Sequence, residues 1–195
     1  MTKIAEAEIY RDYFRAAMYA ELAQHFAERP LAKGIGIEFG GGSNRIIQGM
    51  CSGTTWEERP YPQYDITELA HWGESDIVIA DQVLEHIREP WKIFDCAFKT
   101  VRQAFVVTVP FLVKIHGCPG DYWRMTPECI RSMGKSAGFT DIHIGTWGNS
   151  QATFWLNKYW YTHLMMEAVP EVEWRAALAS NDPETPIMIW AVLRH

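Results

Sequence analysis

Ile35-Gly36-Ile37-Glu38-Phe39-Gly40-Gly41-Gly42-Ser43-Asn44 is an apolar run that stops abruptly at an acid and three glycines. The pattern predicts a buried strand ending in a tight turn. Glycine lacks the Cβ that keeps a ligand away from the backbone, and it reaches the positive φ that a strand-to-helix turn often needs. Such a turn either lies against a ligand or merely joins a strand to a helix, and a decapeptide alone does not separate the two. Glu38, at the carboxyl end of the strand, can accept hydrogen bonds from a ligand or from the loop. A turn built for phosphate would carry no carboxylate there.

Upstream of this turn, residues from about Ile4 to Arg29 contain neither proline nor glycine, and Ile9, Tyr13, Ala17, Ala20 and Phe26 recur at roughly helical spacing. A long amphipathic helix is expected, packed on the sheet, with Tyr10, Tyr13 and Tyr19 as phenols that could instead reach a pocket. Pro30 stops it. Downstream, Ser43 or Asn44 can cap a short helix through about Gly49, and Thr54-Thr55-Trp56 reads as a second strand followed by Glu57 and Glu58. An acid about 20 residues beyond such a turn can hold a ribose diol, and both glutamates are in range. Tyr64-Asp65-Ile66-Thr67-Glu68-Leu69 places an acid at the start of a short loop. The β-branched run Ser75 to Gln82 predicts a central parallel strand. Val83 to His86 begin a helix interrupted by Pro90, Trp91 to Val101 form a second helical stretch, and Ala104 to Pro110 form a further strand. Strands alternate with helices, which predicts an α/β, doubly wound, largely parallel sheet with ligands at the carboxyl ends of its strands.

Composition narrows the function classes. The 195 residues suit one domain, and a formal charge of −6 argues against a nucleic-acid backbone as partner, since that footprint needs a clustered basic face. Acids in the first residues and the lack of any stretch near ~20 apolar residues speak against a secretory signal and a membrane span. A soluble cytoplasmic protein is the default expectation. Cys51, Cys96, Cys118 and Cys129 are scattered without the C-x2-C spacing of a zinc site, so reduced thiols and no metal are expected. Nine tryptophans, eight tyrosines and nine phenylalanines exceed what a core of this size needs, so some are candidates for a pocket wall.

Three further segments carry a pattern: Asp81-Gln82-Val83-Leu84-Glu85-His86-Ile87-Arg88-Glu89-Pro90-Trp91, then Val109-Pro110-Phe111, then His116-Gly117-Cys118-Pro119-Gly120-Asp121-Tyr122-Trp123-Arg124-Met125-Thr126-Pro127. Together they resemble small class I S-adenosylmethionine-dependent methyltransferases, within that superfamily the group often labelled type 11. The resemblance covers roughly Leu31 to Phe139. It implies a Rossmann-like, seven-stranded, mostly parallel sheet whose last strand is antiparallel, with strand six at Asp141 to Trp147 and strand seven at Ile187 to Leu193. On this reading residues 1–30 are an N-terminal helix, 31–147 the cofactor-binding core, 148–185 a helical insertion and 186–195 the last strand. S-adenosyl-L-methionine is the implied cofactor. Glu38, Gly40, Gly41, Gly42 and Asn44 would form its turn, Glu57 or Glu58 would hold the ribose, Asp65 with Ile66 would meet the adenine, and Asp81 with Gln82 would lie beneath the methionine end. Asn44 stands where the family commonly has a third glycine.

The chemistry of the residues agrees. A methyl group on a sulfonium is already electrophilic, so a protein mainly has to align it with a nucleophile and exclude water. A nicotinamide cofactor would explain the glycine turn and the ribose acid equally well, but not the block from His116 to Arg124. His116 has the intrinsic pKa of a general base and is the candidate catalytic residue. Tyr122 and Arg124 are candidate contacts to a small polar acceptor, although Asp121 and Arg124 could instead pin the loop. His86 reads as a hydrogen-bonding residue at a helix start. Thr126 caps a helix that ends before Gly138. Thr153 to Met166 is helical and heavily aromatic, and its belt should face a substrate pocket, a partner subunit or the N-terminal helix. Trp155 is the third candidate acceptor contact, and a homo-oligomer through this helix is open. The methyl acceptor is expected to react at oxygen or nitrogen. Two readings from other classes stand beside this one, a cofactor-binding partner without catalysis and a structural interaction domain.

Overall fold

The computed structural model describes residues 13–40, 45–68, 71–117, 120–160 and 162–195. Gly41, Gly42, Ser43 and Asn44 of the glycine turn, and Tyr10 with the first part of the expected N-terminal helix, lie outside the described residues. Helix α1 (Tyr13–Glu28) leads to strand β1 (Ile35–Phe39), helix α2 (Ile46–Met50), β2 (Thr55–Arg59) and β3 (Ser75–Asp81). After a 3₁₀ turn at Leu84–His86 come α3 (Pro90–Thr100), β4 (Val101–Pro110), α4 (Pro127–Ala137) and β5 (Asp141–Trp147). Helices α5 (Ser150–Tyr159), α6 (Thr162–Ala168) and α7 (Glu171–Leu178) precede β6 (Met188–Arg194).

The strands form one sheet in the order β2-β1-β3-β4-β6-β5. The pairs β1–β2, β1–β3 and β3–β4 are parallel, and β6 is antiparallel to both of its neighbours. The expected antiparallel last strand is therefore present. The expected count of seven is not, because the sheet has six strands among the described residues. A seventh would have to fall between β2 and β3, where residues 60–68 run in turns. Pro60 and Pro62 lie there, and proline cannot donate to a ladder.

Alternation along the buried strands divides the side chains between two cores. Ile77, Ile79, Ala104 and Val106 join Phe14, Met18 and Leu22 of α1 on one face. Val78, Ala80, Phe105 and Val107 join Ile93, Phe94 and Ala97 of α3 and Ile130 of α4 on the other. The sheet is covered on both sides, as its near-continuous hydrophobic strands require. α4 starts and stops as its sequence directs. The Thr126 hydroxyl accepts from the Cys129 amide, and Gly138 closes the helix at φ 116°.

The aromatic segment is not one helix. Trp160, with φ 65°, ends α5, and α6 begins as a separate helix at Thr162. Trp155 and Trp174 turn inward onto the α1 side of the sheet. Of the three surfaces that the belt could face, Trp155 faces the core that the N-terminal helix builds, while Phe154 stays exposed.

Candidate active site

The sheet order reverses between β1 and β3, since the chain goes from β1 outward to β2 and then returns to the other side of β1. The ends of two neighbouring parallel strands then diverge, and a crevice opens between the loops that leave them. A cleft of about 710 Å³ lies there. Gly40, directly after β1, and Gln82 and Val83, directly after β3, line it together with Tyr61, Tyr64, Asp65, Ile66 and Thr67 on one side and His86, Arg88 and Tyr122 on the other.

Gly40 has φ 98°, and a Cβ placed on it would fall 2.5 Å from the Val83 side chain. Glycine is needed here for both conformation and space. Gln82 also has a positive φ, 55°, which a non-glycine residue adopts only when its surroundings insist. Thr108 supplies the insistence. Its carbonyl accepts from the Gln82 amide at 3.0 Å and its hydroxyl from the Gln82 side chain at 3.0 Å. The same hydroxyl donates to Asp81, whose other carboxylate oxygen accepts from the Tyr19 phenol at 2.7 Å. Burial, then the Asp81 charge, push the Tyr19 phenol far up, so it remains a donor.

Glu38 is 4% exposed and accepts from the Gln48 side chain on α2. Burial pushes its carboxyl up to about 7, with the Asp81 and Glu58 charges adding to the effect and the Gln48 bond opposing it. It does not line the cleft.

Asp65 and Ile66 are at the cleft wall. Asp65 Oδ1 accepts from the Thr67 amide at 2.8 Å and from the Thr67 hydroxyl at 2.7 Å, which holds a tight turn. Ile66 is buried, and its carbonyl accepts from the Trp72 indole at 2.8 Å. The opposite wall is the turn from His86 to Lys92 together with Tyr122, and the loop between β4 and α4 that carries Tyr122 backs it. All of the Arg124 guanidinium is spent there, on the carbonyls of Val113, Lys114 and Trp123 and on both Asp121 oxygens. That guanidinium holds the Asp121 carboxyl down at about 2. The amides of Tyr122 and Trp123 bond the Glu85 carbonyl at 2.7 and 3.3 Å, tying this loop to the turn after β3.

No protein-family model matches the sequence, and no curated protein matches it. Solved structures do. A SAM-dependent methyltransferase from Archaeoglobus fulgidus superposes with a TM-score of 0.55 at 14% identity, over 94% of this chain and 97% of that one. The chain has the methyltransferase fold. An O-methyltransferase family protein from Burkholderia thailandensis matches 93% of this chain with 56% of its own, at TM-score 0.54 and 9% identity. The N-terminal domain of EvdMO1 with SAH bound matches 93% of this chain and 84% of its own, at TM-score 0.50 and 13% identity.

On this methyltransferase fold the sequence-derived candidates separate into three groups. Gly40, Asp65, Ile66, Gln82 and Tyr122 come together at the cleft. Glu38 and Asp81 lie behind it in the network described above. The rest are elsewhere or otherwise engaged. Glu57 and Glu58 are inside β2 and not after it, because the strand runs on to Arg59. Each is in an exposed ion pair, Glu57 with Arg59 at 2.6 Å and Glu58 with Arg45 at 2.7 Å. Trp155 is only 4% exposed in the core beneath α5, so it is no acceptor contact. Arg124 is a pin and has no donor left for an acceptor. His116 stacks edge-on against His86 at 5.3 Å, and Trp160 lies 5.5 Å from its ring. Burial pushes its imidazole down, which keeps it neutral at pH 7.

Tyr61, Tyr64 and His86 are cleft residues that the sequence did not single out for this place. Tyr61 and Tyr64 sit among prolines in a stretch without periodicity. The Arg59 guanidinium lies 5.0 Å over the Tyr64 ring and braces it. The one available signal was two tyrosines just before Asp65.

Proposed function

We propose that this chain is an S-adenosylmethionine-dependent methyltransferase acting on an oxygen or nitrogen of a small polar acceptor. The observation that carries this reading is the cleft at the point where the strand order reverses, lined by the residues that leave β1 and β3 in a chain of this fold. The turn of Gly40, Gly41, Gly42 and Asn44, with Glu38 beneath it, holds the cofactor's methionine portion. Asp65 and Ile66 take the adenine. Both internal bonds of Asp65 fall on Oδ1, which leaves Oδ2 to accept from a ligand. Gln82 lies under the methionine end, fixed through Thr108 and Asp81. Glu57 or Glu58 exchanges its arginine for the ribose diol, at small cost because exposed ion pairs contribute only ~0–1 kcal/mol.

The acceptor lies toward Tyr122 and the imidazoles of His86 and His116. The S–CH3 bond breaks as the bond from the acceptor atom to CH3 forms, S-adenosylhomocysteine is left, and the acceptor's proton passes to solvent beside the histidine pair. Among the described residues no helix is long and apolar enough to cross a membrane. Phe154 on α5 is the exposed aromatic through which two copies could meet.

Thermal unfolding with S-adenosylhomocysteine tests this reading. A ligand at 100 times its Kd should add about 2.7 kcal/mol to folded-state stability. A folded sample whose Tm does not move at millimolar ligand overturns it.

A further inference from the structure

Glu85 is the least satisfied polar side chain near the cleft. It is 1% exposed, and neither carboxylate oxygen has a hydrogen-bond partner among the described residues. A buried carboxylate without partners is costly, and native structures keep one only with a compensating group or a purpose. Two imidazoles face it. Glu85 Oε1 is 3.6 Å from His86 Nε2, and one donor atom from each of Glu85, His86 and His116 fall within 4.8 Å of one another.

We infer that Glu85, His86 and His116 hold a divalent transition-metal cation such as Zn²⁺ at the acceptor end of the cleft. Two imidazole nitrogens and one carboxylate form a three-ligand set suited to zinc or ferrous iron, with the remaining positions open. Metal–ligand bonds of about 2.0–2.2 Å place donor atoms ~3.3 Å apart in a tetrahedron. The Glu85–His86 spacing is already close to that, and the remaining gap closes by a small rotation of His116, whose side chain keeps 27% of its exposure.

The surroundings fit such a site. A histidine ligand usually donates its second ring nitrogen to a carbonyl or carboxylate, which fixes its tautomer and orientation. His86 Nδ1 meets the Gly120 carbonyl, leaving Nε2 toward Glu85. His116 Nδ1 lies 3.3 Å from the Lys114 carbonyl and 3.4 Å from Asp121. The loop carrying His116 and the turn carrying Glu85 are bonded together through the Glu85 carbonyl. Arg124 and Arg15 contribute positive charge at Glu85, but Asp121 neutralises the first at 2.5 Å and Asp81 offsets the second. Of the three ligands, His86 lines the cleft, which places the ion at its edge.

This rests on the methyltransferase reading for its purpose and sharpens it to one acceptor class. A cation held by two neutral imidazoles and a carboxylate binds an oxygen donor and repels a protonated amine. The acceptor is then a hydroxyl or carboxylate oxygen. Bound to the ion, a hydroxyl loses its proton to solvent through the open cleft, and the oxygen attacks the methyl group as the sulfonium becomes a thioether.

Calorimetry of the cofactor-free full-length protein with Zn²⁺ alone tests the site, and S-adenosylhomocysteine is titrated separately. One Zn²⁺ per chain is expected. Glu85→Gln and His116→Ala should each weaken it by more than the ~10- to 100-fold that loss of an outer partner costs. Co²⁺ bound to the parent protein should show visible bands of an imidazole-ligated ion, a readout that stands even if a variant fails to fold. No Zn²⁺ uptake, uptake unchanged in both variants, or a cobalt spectrum without imidazole ligands overturns the inference. S-adenosylhomocysteine binding without Zn²⁺ binding removes the metal and leaves the methyltransferase reading, and the reverse result removes that reading and leaves the metal.

Discussion

The two walls of the cleft are built on different principles. The wall of Tyr61 to Thr67 is tied almost wholly to its own neighbourhood, by the Asp65–Thr67 turn, the Trp72–Ile66 bond and the packing of Tyr64 on His71. The other wall, His86 to Lys92 with Tyr122, is backed by the loop between β4 and α4, which Arg124 closes on itself through Val113 and Lys114 and which is tied across the molecule to the carbonyl of Glu85 and to Asn157 on α5. Local ties can be remade at modest cost when a ligand enters. Long-range ties fix positions in advance, and pre-positioning matters most where bonds are made and broken.

That contrast can be broken most forcefully at Arg124. Arg124→Ala leaves Asp121 buried without its counter-ion and should cost about 3 kcal/mol in denaturant unfolding, the lower end for breaking a buried pair because the guanidinium still touches solvent. Its affinity for S-adenosylhomocysteine should hardly change, and a large loss there would show that the two walls are not independent. His116→Ala comes next. Turnover should fall by at least ~100-fold while S-adenosylhomocysteine affinity is kept, a split that mere loosening of the loop would not give.

The opposite wall should respond in binding and not in fold. Asp65→Ala should weaken S-adenosylhomocysteine by about 1–3 kcal/mol in calorimetry. The same variant should lose under about 1 kcal/mol of stability, since only a surface turn is released. A stability loss larger than the affinity loss would mean that this wall is as structural as the other. The smallest effect concerns the floor between them. Glu38 has a carboxyl pKa raised in the folded protein from the ordinary range to about 7, so its contribution is complete below the unfolded pKa and is lost as pH rises through 7. Stability should decline between pH 5 and pH 8 by on the order of 1 kcal/mol, and Glu38→Gln should flatten that slope in a pH series of unfolding curves.

The sequence revealed one wall better than the other for physical reasons. β1, β3, β5 and β6 fall within a residue or so of their expected bounds, because runs such as Ile77-Val78-Ile79-Ala80 have no alternative in a buried sheet. α4 was equally plain from Thr126 and Gly138. β4 begins at Val101 and not at Ala104, since pairing of Val101 with Ser75 overrides the helical pattern there. The glutamates of β2 were misplaced for a similar reason. Thr55 to Arg59 is an edge strand whose polar residues carry no alternation signal, and only its pairing with β1 extends it. Asp65 and Gln82 entered through the resemblance of the motifs around them, whereas Tyr61 and Tyr64 reach the cleft through turn geometry that no periodicity encodes. Trp155 was misread because an aromatic-rich helix has several faces, and only packing against α1 decides which one is covered.

β6 deserves a kinetic reading. It lies between β4 and β5, pairing with Val106 through Val192 on one side and with Ile144 through Ala191 on the other, so it closes a gap in the middle of the sheet. Until it inserts, β4 and β5 each present an unpaired edge, and β4 is strongly hydrophobic. Contacts so distant along the chain form late, after the local ones, and the waiting edges are the places where a partly folded chain meets another copy of itself. Residues 188–194, which do not line the cleft, thus protect the refolding chain by covering those two edges.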